Sequence, residues 1–178
     1  MIDKSKLIIK KLSLNELDAY IEFVAFVKEN MEHPEWLGEF SKSDYVKMIN
    51  NDAVIYVWTT MENINKELSE IDQFVACGML IPAKPTDLKK FLQTDLKYKE
   101  VVDFGPEMVH PKYIGNGIQK DVIEYLEMIA KGLGYKHFIG TVDPENIYSM
   151  RNLLKMNFEI AAKVELKRGT RLVMRKDV

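Results

Sequence analysis

One short segment contains residues whose types and spacing could bind a phosphate group. The chain from Met108 to Gln119 leaves a predicted strand, turns at Gly115 and Gly117, and enters a predicted helix. Glycines one residue apart allow the main chain to approach a ligand closely and to adopt positive φ angles. The first amides of a helix point outward at the positive end of its dipole, and this geometry binds phosphate without a charged side chain.

The same pattern has a simpler interpretation, in which the glycines only allow a tight turn between a strand and a helix. Two better-known phosphate motifs are excluded. A Rossmann fingerprint would require a third glycine where the chain has Lys120, and a P-loop would require Gly-Lys-Ser or Gly-Lys-Thr, which does not occur here.

The predicted strand before this loop, Glu100–Val109, is interrupted by Gly105-Pro106. Proline cannot donate to a strand ladder, so this pair predicts a bulge that splays the strand from its parallel neighbour, Lys136–Val142. The main-chain groups of Glu107 to Val109 would then be open to pair with an extended ligand. A phosphate cradle next to a strand-like slot suits coenzyme A, with its pyrophosphate in the loop and its pantetheine along the strand.

Two carboxylates on this strand could accept a proton. Asp103 and Glu107 are four residues apart, so strict alternation places them on one face unless the bulge intervenes. Glu107 is the first choice as a catalytic base because it lies two residues before Val109, and Asp103 is the second. Burial would raise the pKa of either group towards a useful range. The alternative is that both side chains are solvated or paired with cations.

The predicted elements that position these residues follow the order β-α-α-β-β-(α)-β-α-β-α-β-β. Ser13 and Glu16 predict a capping box at the first helix. Asp143-Pro144 predicts the start of the last helix, with aspartate as the cap and proline at the first helical position. Lys167–Thr170 predicts the turn of a final hairpin.

The bulk composition limits the class of protein. A chain of 178 residues with 47% hydrophobic and 29% charged residues predicts one soluble domain over 1–178. A net charge of −2, without a basic cluster interleaved with aromatic residues, argues against a nucleic-acid partner. No apolar run is long enough to span a membrane. The lone Cys77 excludes an internal disulfide and fits the cytoplasm, and no metal-binding spacing occurs.

Two motifs in the second half resemble those of the GNAT (Gcn5-related N-acetyltransferase) superfamily. Lys112–Gly117 resembles motif A, written Arg/Gln-x-x-Gly-x-Gly/Ala, with lysine in the first position. Asn146–Phe158 resembles motif B, written Asn-x-x-Ser/Ala and ending in Gly-Phe. Asn157 replaces that glycine, and asparagine can also adopt the left-handed conformation. The resemblance is specific over Glu100–Phe158 and weak before residue 70.

The resemblance implies an α/β (α+β) fold. In this fold a central mixed, mostly antiparallel sheet of six to seven strands is splayed between strands 4 and 5 and flanked by helices. It implies an acyl-CoA-dependent N-acetyltransferase without a metal, which moves an acetyl group from acetyl-CoA to a primary amine of a small molecule or a protein N-terminus. A homodimer is also compatible with it. The residues expected to bind the cofactor are Met108, Val109, Lys112, Tyr113, Ile114, Gly115, Asn116, Gly117, Ile118, Gln119, Asn146 and Ser149.

The general acid of such an enzyme is missing from its usual position. Many members of the superfamily have a tyrosine seven residues after the motif B asparagine, and this chain has Leu153 there. Either the thiolate leaves without a side-chain acid, or Tyr98, Tyr113 or another group supplies the proton. The alternative function is therefore a non-catalytic acyl-CoA-binding sensor or partner domain. Asn146 also has a simpler interpretation, as a residue that starts a helix.

Overall fold

The computed structural model describes residues 2–92 and 96–178, and within them the chain forms eight strands and five α-helices. The strands are β1 (Leu7–Lys11), β2 (Val54–Thr60), β3 (Ala76–Pro82), β4 (Val101–Phe104), β5 (Met108–Val109), β6 (His137–Val142), β7 (Glu159–Leu166) and β8 (Gly169–Asp177). The helices are α1 (Leu17–Glu29), α2 (Lys42–Ile49), α3 (Pro85–Phe91), α4 (Ile118–Gly132) and α5 (Ile147–Lys155).

The strands pair in the order β1-β2-β3-β4-β6-β8-β7, and β5 pairs with β3. Strands β4 and β6 are parallel, with Asp103 opposite Ile139. The pairs β1–β2, β3–β4, β3–β5, β6–β8 and β7–β8 are antiparallel. The predicted fold class, a mixed and mostly antiparallel sheet with flanking helices, is confirmed.

The sheet has eight strands rather than the predicted six to seven because the predicted strand Glu100–Val109 is two strands. β4 ends at Phe104 and β5 begins at Met108, with Gly105-Pro106 in the break. Proline lacks the N–H group that a ladder would use, so the predicted interruption occurs where the sequence places it. The break also removes the continuous strand that the alternation argument for Asp103 and Glu107 requires.

The chain divides into two compact units, and the first comprises Met1–Met79 and Pro106–Leu126. Its core contains the buried aromatic side chains of Tyr20, Phe23 and Phe74, with the rings of Phe23 and Phe74 stacked at 5.1 Å. The predicted capping box forms, although it opens a 3₁₀ turn directly before α1. The Glu16 carboxylate accepts the Ser13 main-chain N–H at 2.9 Å and the Lys10 ammonium at 2.6 Å.

The second unit comprises Leu80–Gly105 and Glu127–Val178. On one face of its strands, the ring of Phe104 stacks on that of Phe138 with centroids 5.2 Å apart and meets Phe158 edge-on. Helix α3 covers the other face through a cluster of small and aliphatic side chains, which are Ala83, Leu88, Val101 and Ile139. The prediction of a single domain over 1–178 stays a prediction.

The start of α5 differs from the prediction. Asp143 does not cap the helix; Asn146 does, because its Oδ1 accepts the Ser149 main-chain N–H at 3.0 Å. The Asp143 carboxylate accepts the Glu145 main-chain N–H at 3.0 Å through Oδ1 and a hydrogen bond from Arg171 at 2.6 Å through Oδ2. Arg171 is only 1% exposed. A guanidinium so deeply buried requires a carboxylate partner, and Asp143 supplies it.

Candidate functional site

The loop between β5 and α4 has the backbone conformation that the glycine spacing predicts. Gly115 has a φ of 84° and Gly117 a φ of 72°, both in the left-handed region that favours glycine. The Asn116 side chain lies between them and donates from Nδ2 to the Tyr113 carbonyl at 2.9 Å. Asn116 therefore braces the loop from inside, and the main chain on either side of it forms the open surface.

Helix α4 starts directly after this loop. Its first internal hydrogen bond runs from the Asp121 N–H to the Gly117 carbonyl at 3.4 Å. Ile118 is 2% exposed and anchors the first turn in the core. The first turn therefore directs its main-chain N–H groups and the positive end of the helix dipole towards the loop, as a phosphate site requires.

A lysine from the N-terminal segment also reaches this loop. The Lys4 ammonium lies 2.7 Å from the Asp121 carboxylate, in the first turn of α4. The same ammonium would be 3.6 Å from a Cβ atom built on Gly117. Lys4 therefore compensates the negative charge that Asp121 places in the first turn of α4, next to the loop.

The outer side of the loop is open to solvent. A Cβ atom built on Gly115 would have no neighbour within 4 Å. Ile114 is 68% exposed, which is unusual for a large apolar side chain. Lys112 is exposed and Tyr113 half-buried, with the Lys112 ammonium 5.7 Å from the centre of the Tyr113 ring. Gln119, in the first turn of α4, is half-buried.

Strand β5 presents one edge to β3 and the other away from it. Met108 lies opposite Cys77 and Val109 opposite Ala76, and the His110 N–H donates to the Val75 carbonyl at 2.9 Å. Hydrogen-bonded and non-hydrogen-bonded residue pairs alternate along an antiparallel ladder. The main-chain N–H and C=O of Met108 therefore point towards β3, and those of Val109 point away from β3. Among the strands of the described residues, β5 pairs with β3 alone. An extended ligand could pair with Val109 on that second edge.

The two motif B residues belong to the second unit, in the first turn of α5. Asn146 is half-buried and uses its Oδ1 as the helix cap, so the interpretation of Asn146 as a helix-start residue fits its geometry. Ser149 is half-buried. Asn157 has a φ of 64°, the left-handed conformation expected where motif B has glycine. The cofactor contacts of Asn146 and Ser149 stay predictions.

Asp103 lies on β4, on the face that carries Val101 and that α3 covers. Its side chain is half-buried. Burial raises the pKa of Asp103 to about 7; the negative charge of Asp87 acts in the same direction, and the positive charge of Arg168 opposes them. Arg168 comes from the hairpin turn between β7 and β8 and donates to the Thr141 hydroxyl at 3.3 Å.

Glu107 lies in the first unit, in the break before β5, and is half-buried. Its charge contributes, after burial, to raising the pKa of the Cys77 thiol to about 12. Cys77 is fully buried, with its Sγ 3.9 Å from the Tyr20 hydroxyl. A thiol with this pKa stays protonated at neutral pH, so Cys77 is a core residue and not a nucleophile.

Sequence reasoning missed Lys4 at the phosphate loop and Asp87 and Arg168 beside Asp103. Lys4 and Asp121 are 117 residues apart, and no motif links them.

No group of three or more His, Cys, Asp and Glu side chains in residues 2–92 and 96–178 could hold a metal ion. In the same part of the chain, no helix has both the length and the apolar character to cross a membrane.

The chain matches no protein-family model and no curated protein. Solved structures do match it over nearly its whole length. An acetyltransferase of the GNAT family from Streptococcus pneumoniae aligns with a TM-score of 0.69 at 13% identity, over 97% of this chain and 99% of that one. An N-acetyltransferase from Staphylococcus aureus Mu50 aligns with a TM-score of 0.67 at 15% identity, over 96% and 98%.

A third structure, yncA from Salmonella typhimurium with its cofactor acetyl-CoA, aligns with a TM-score of 0.67 at 14% identity, over 96% of this chain and 93% of that one. At such low identities the likeness establishes the fold. The chain therefore has the fold of the GNAT acetyltransferases, and the resemblance seen in its two motifs is confirmed at this level.

Proposed function

We propose that this chain transfers an acetyl group from acetyl-CoA to a primary amine of a small molecule or of a protein N-terminus. The observation that carries the proposal is the loop from Lys112 to Ile118. It combines two glycines at positive φ, the N-terminal end of α4 and an adjoining strand edge at Val109. Phosphate and pantetheine are the two parts of coenzyme A that this combination suits.

In this proposal the main chain from Ile114 to Gln119 binds the pyrophosphate, the Lys112 ammonium adds positive charge nearby, and Lys4 offsets the charge of Asp121. The outward N–H and C=O of Val109 pair with the pantetheine arm. The acetyl-CoA that accompanies yncA, a protein with the same fold, supports this choice of donor.

The reaction requires a base that removes a proton from the acceptor ammonium, a donor that stabilises the oxyanion, and departure of the thiolate. Asp103 and Glu107 are the proposed bases. The pKa of Asp103, about 7, suits a group that must accept a proton near neutral pH. The position of Glu107, directly before β5, supports the alternative assignment. Main-chain N–H groups at β5 are the proposed donors to the thioester oxygen.

The second candidate function is an acyl-CoA sensor that binds the cofactor and transfers nothing. One observation favours it: Leu153, at the position where many GNAT enzymes have a tyrosine acid, is 6% exposed and packs as a core residue. Tyr148, a tyrosine on the same helix, is 76% exposed. An enzyme of this kind would have to protonate the thiolate from another group or from water.

One experiment separates these functions. Millimolar CoA should raise the melting temperature, because a ligand that binds only the native state stabilises it, whereas ATP and NAD should do much less because they lack pantetheine. Thiol release from acetyl-CoA is then followed across a panel of amines and N-terminal peptides. Turnover of any amine supports the transferase, and binding without turnover supports the sensor. No stabilisation by CoA would contradict both.

A further inference from the structure

His110, the residue between β5 and the 3₁₀ turn Pro111–Tyr113, has no role in the proposed transfer. Its ring Nδ1 accepts the main-chain N–H of Lys112 at 3.1 Å. An imidazole nitrogen that accepts a hydrogen bond carries no proton, so this contact selects the neutral ring with its proton on Nε2.

The imidazole is held in place by aromatic neighbours. His110 is 5% exposed, and its ring centre lies 5.1 Å from that of Phe26 and 5.5 Å from that of Tyr113. The Nε2 atom is buried without a hydrogen-bond partner among the described residues, and a carboxylate oxygen of Asp72 is 3.6 Å away. A ring packed in this way keeps Nδ1 directed at Lys112.

We infer that His110 is a positioning residue of the phosphate loop, whose neutral imidazole holds the turn that sets the glycine segment. The inference rests on the proposed function of that loop. The turn is connected to the glycine segment by the Asn116 side chain, which donates to the Tyr113 carbonyl at 2.9 Å. A proton on Nδ1 would place two donors, Nδ1–H and the Lys112 N–H, against each other, so protonation would open the turn.

The charges around His110 determine the pH at which this occurs. Burial lowers the pKa of His110 below its ordinary range; Asp72 opposes this shift and Lys112 adds to it. The neighbours on α1, Phe23 and Phe26, carry no charge. A histidine with a lowered pKa contributes stability that is present above its ordinary pKa of about 6.5 and is lost as the pH falls below it. Because a proton on the folded protein opens the turn, affinity for CoA should decrease as the pH falls through the lowered pKa of His110.

Three variants test the inference through the dissociation constant of CoA, measured by calorimetry from about pH 8 down to the lowest pH at which the wild type stays folded. His110→Phe keeps the aromatic packing and removes the acceptor, so it should bind CoA about tenfold more weakly at the highest pH. His110→Asn keeps an acceptor of the kind that caps helices, so it should bind close to wild type there. Since asparagine does not titrate, His110→Asn should also lack the acidic loss of affinity.

The phosphates of CoA titrate in the same way for every variant, so the ratio of wild-type to His110→Asn affinity at each pH isolates the histidine. His33→Asn is the matched control, because His33 is half-buried, stacks on Trp36 and does not belong to the loop from Lys112 to Ile118. It should reproduce the wild-type pH profile. Two results would overturn the inference. One is that His110→Phe binds CoA as tightly as the wild type at the highest pH. The other is that the ratio of wild-type to His110→Asn affinity for CoA does not change with pH.

A failure of the proposed function gives a different result, namely a wild-type protein that does not bind CoA at any of these pH values. The positioning role is then measured without ligand, from the hydrogen exchange of the Lys112 amide at the highest pH. The bond to Nδ1 should slow this exchange in the wild type and in His110→Asn relative to His110→Phe. Equal exchange rates in all three proteins would contradict the role.

Discussion

The surroundings of the Asp103 carboxylate add an argument to its ranking as a base. The sequence favours Glu107, through its distance from Val109. The pKa favours Asp103 as a base near neutral pH, because burial and Asp87 together outweigh the charge of Arg168 and raise the pKa of Asp103 to about 7. The residues that produce this shift come from α3 and from the β7–β8 turn, so no motif around Asp103 could reveal them.

Replacement of Asp103 by asparagine tests this ranking. If Asp103 is the base, Asp103→Asn should lower turnover by about 10²–10⁴-fold, the usual contribution of a positioned base, and leave the affinity for CoA nearly unchanged. The acidic limb of the rate profile, expected near pH 7, should disappear. Glu107→Gln is the paired variant and should retain more activity. The reverse order of the two variants would transfer the role to Glu107.

The raised pKa of Asp103 also has a consequence for stability. Between about pH 4 and pH 7 the folded protein retains a proton that the unfolded chain has released, so stability decreases as the pH rises through this window. Asp103→Asn removes this penalty. Since the carboxylate is partly solvated, we expect a gain of only about 1–2 kcal/mol at pH 8 and none near pH 4, measured by urea unfolding. A variant less stable than wild type at pH 8 would contradict the burial of this charge.

At the level of elements, the sequence predicts well where local chemistry decides the structure. The break at Gly105-Pro106, the positive φ of Gly115 and Gly117, and the left-handed Asn157 all occur as predicted. Each depends on the backbone of one or two residues. The start of α5 was predicted wrongly: Asn146 caps the helix, whereas Asp143 forms a local turn to Glu145 and pairs with Arg171, a residue 28 positions away. A contact of that range has no signature in the residues around Asp143.

Strand β3 and helix α4 approach each other closely at Gly78. A Cβ atom built there would lie 2.7 Å from Cγ1 of Val122 and 2.9 Å from Cδ1 of Leu126. Gly78→Ala should therefore destabilise the fold by about 1–3 kcal/mol through overpacking. Gly132→Ala, in the last turn of α4, is the control, because its Cβ would meet nothing within 4 Å. It should be neutral or slightly stabilising. Equal urea midpoints for the two variants would disprove the close approach.

The loop before α4 can be tested by a charge at Gly117. A carboxylate in Gly117→Asp would lie near the Lys4 ammonium and where a phosphate should bind. CoA affinity should fall by about ten- to a hundredfold, while the fold survives through the new ion pair. Gly117→Ala has the same positive φ without the charge, so it measures the effect of backbone strain alone. Equal CoA affinities of the two variants would mean that the glycine serves only the turn.

At the scale of the whole chain, the predicted single domain requires one cooperative unfolding transition. Two of the three boundaries of the compact units fall inside β3, after Met79, and inside α4, after Leu126; the third, after Gly105, lies in the break between β4 and β5. Domain boundaries usually fall in exposed linkers, so boundaries within a strand and a helix favour one folding unit. For 178 residues we expect a van't Hoff enthalpy of roughly 120 kcal/mol near 60 °C, equal to the calorimetric enthalpy.

Two probes make this test independent of calorimetry. Trp36 and Trp58 both belong to the first unit, so tryptophan fluorescence reports on that unit, whereas far-ultraviolet circular dichroism reports on helices and strands of both. One domain predicts that the two urea transitions coincide, and that CoA moves both midpoints by the same amount because binding stabilises the native state as a whole. Separate transitions, with CoA moving only one of them, would show instead that the chain folds as two domains.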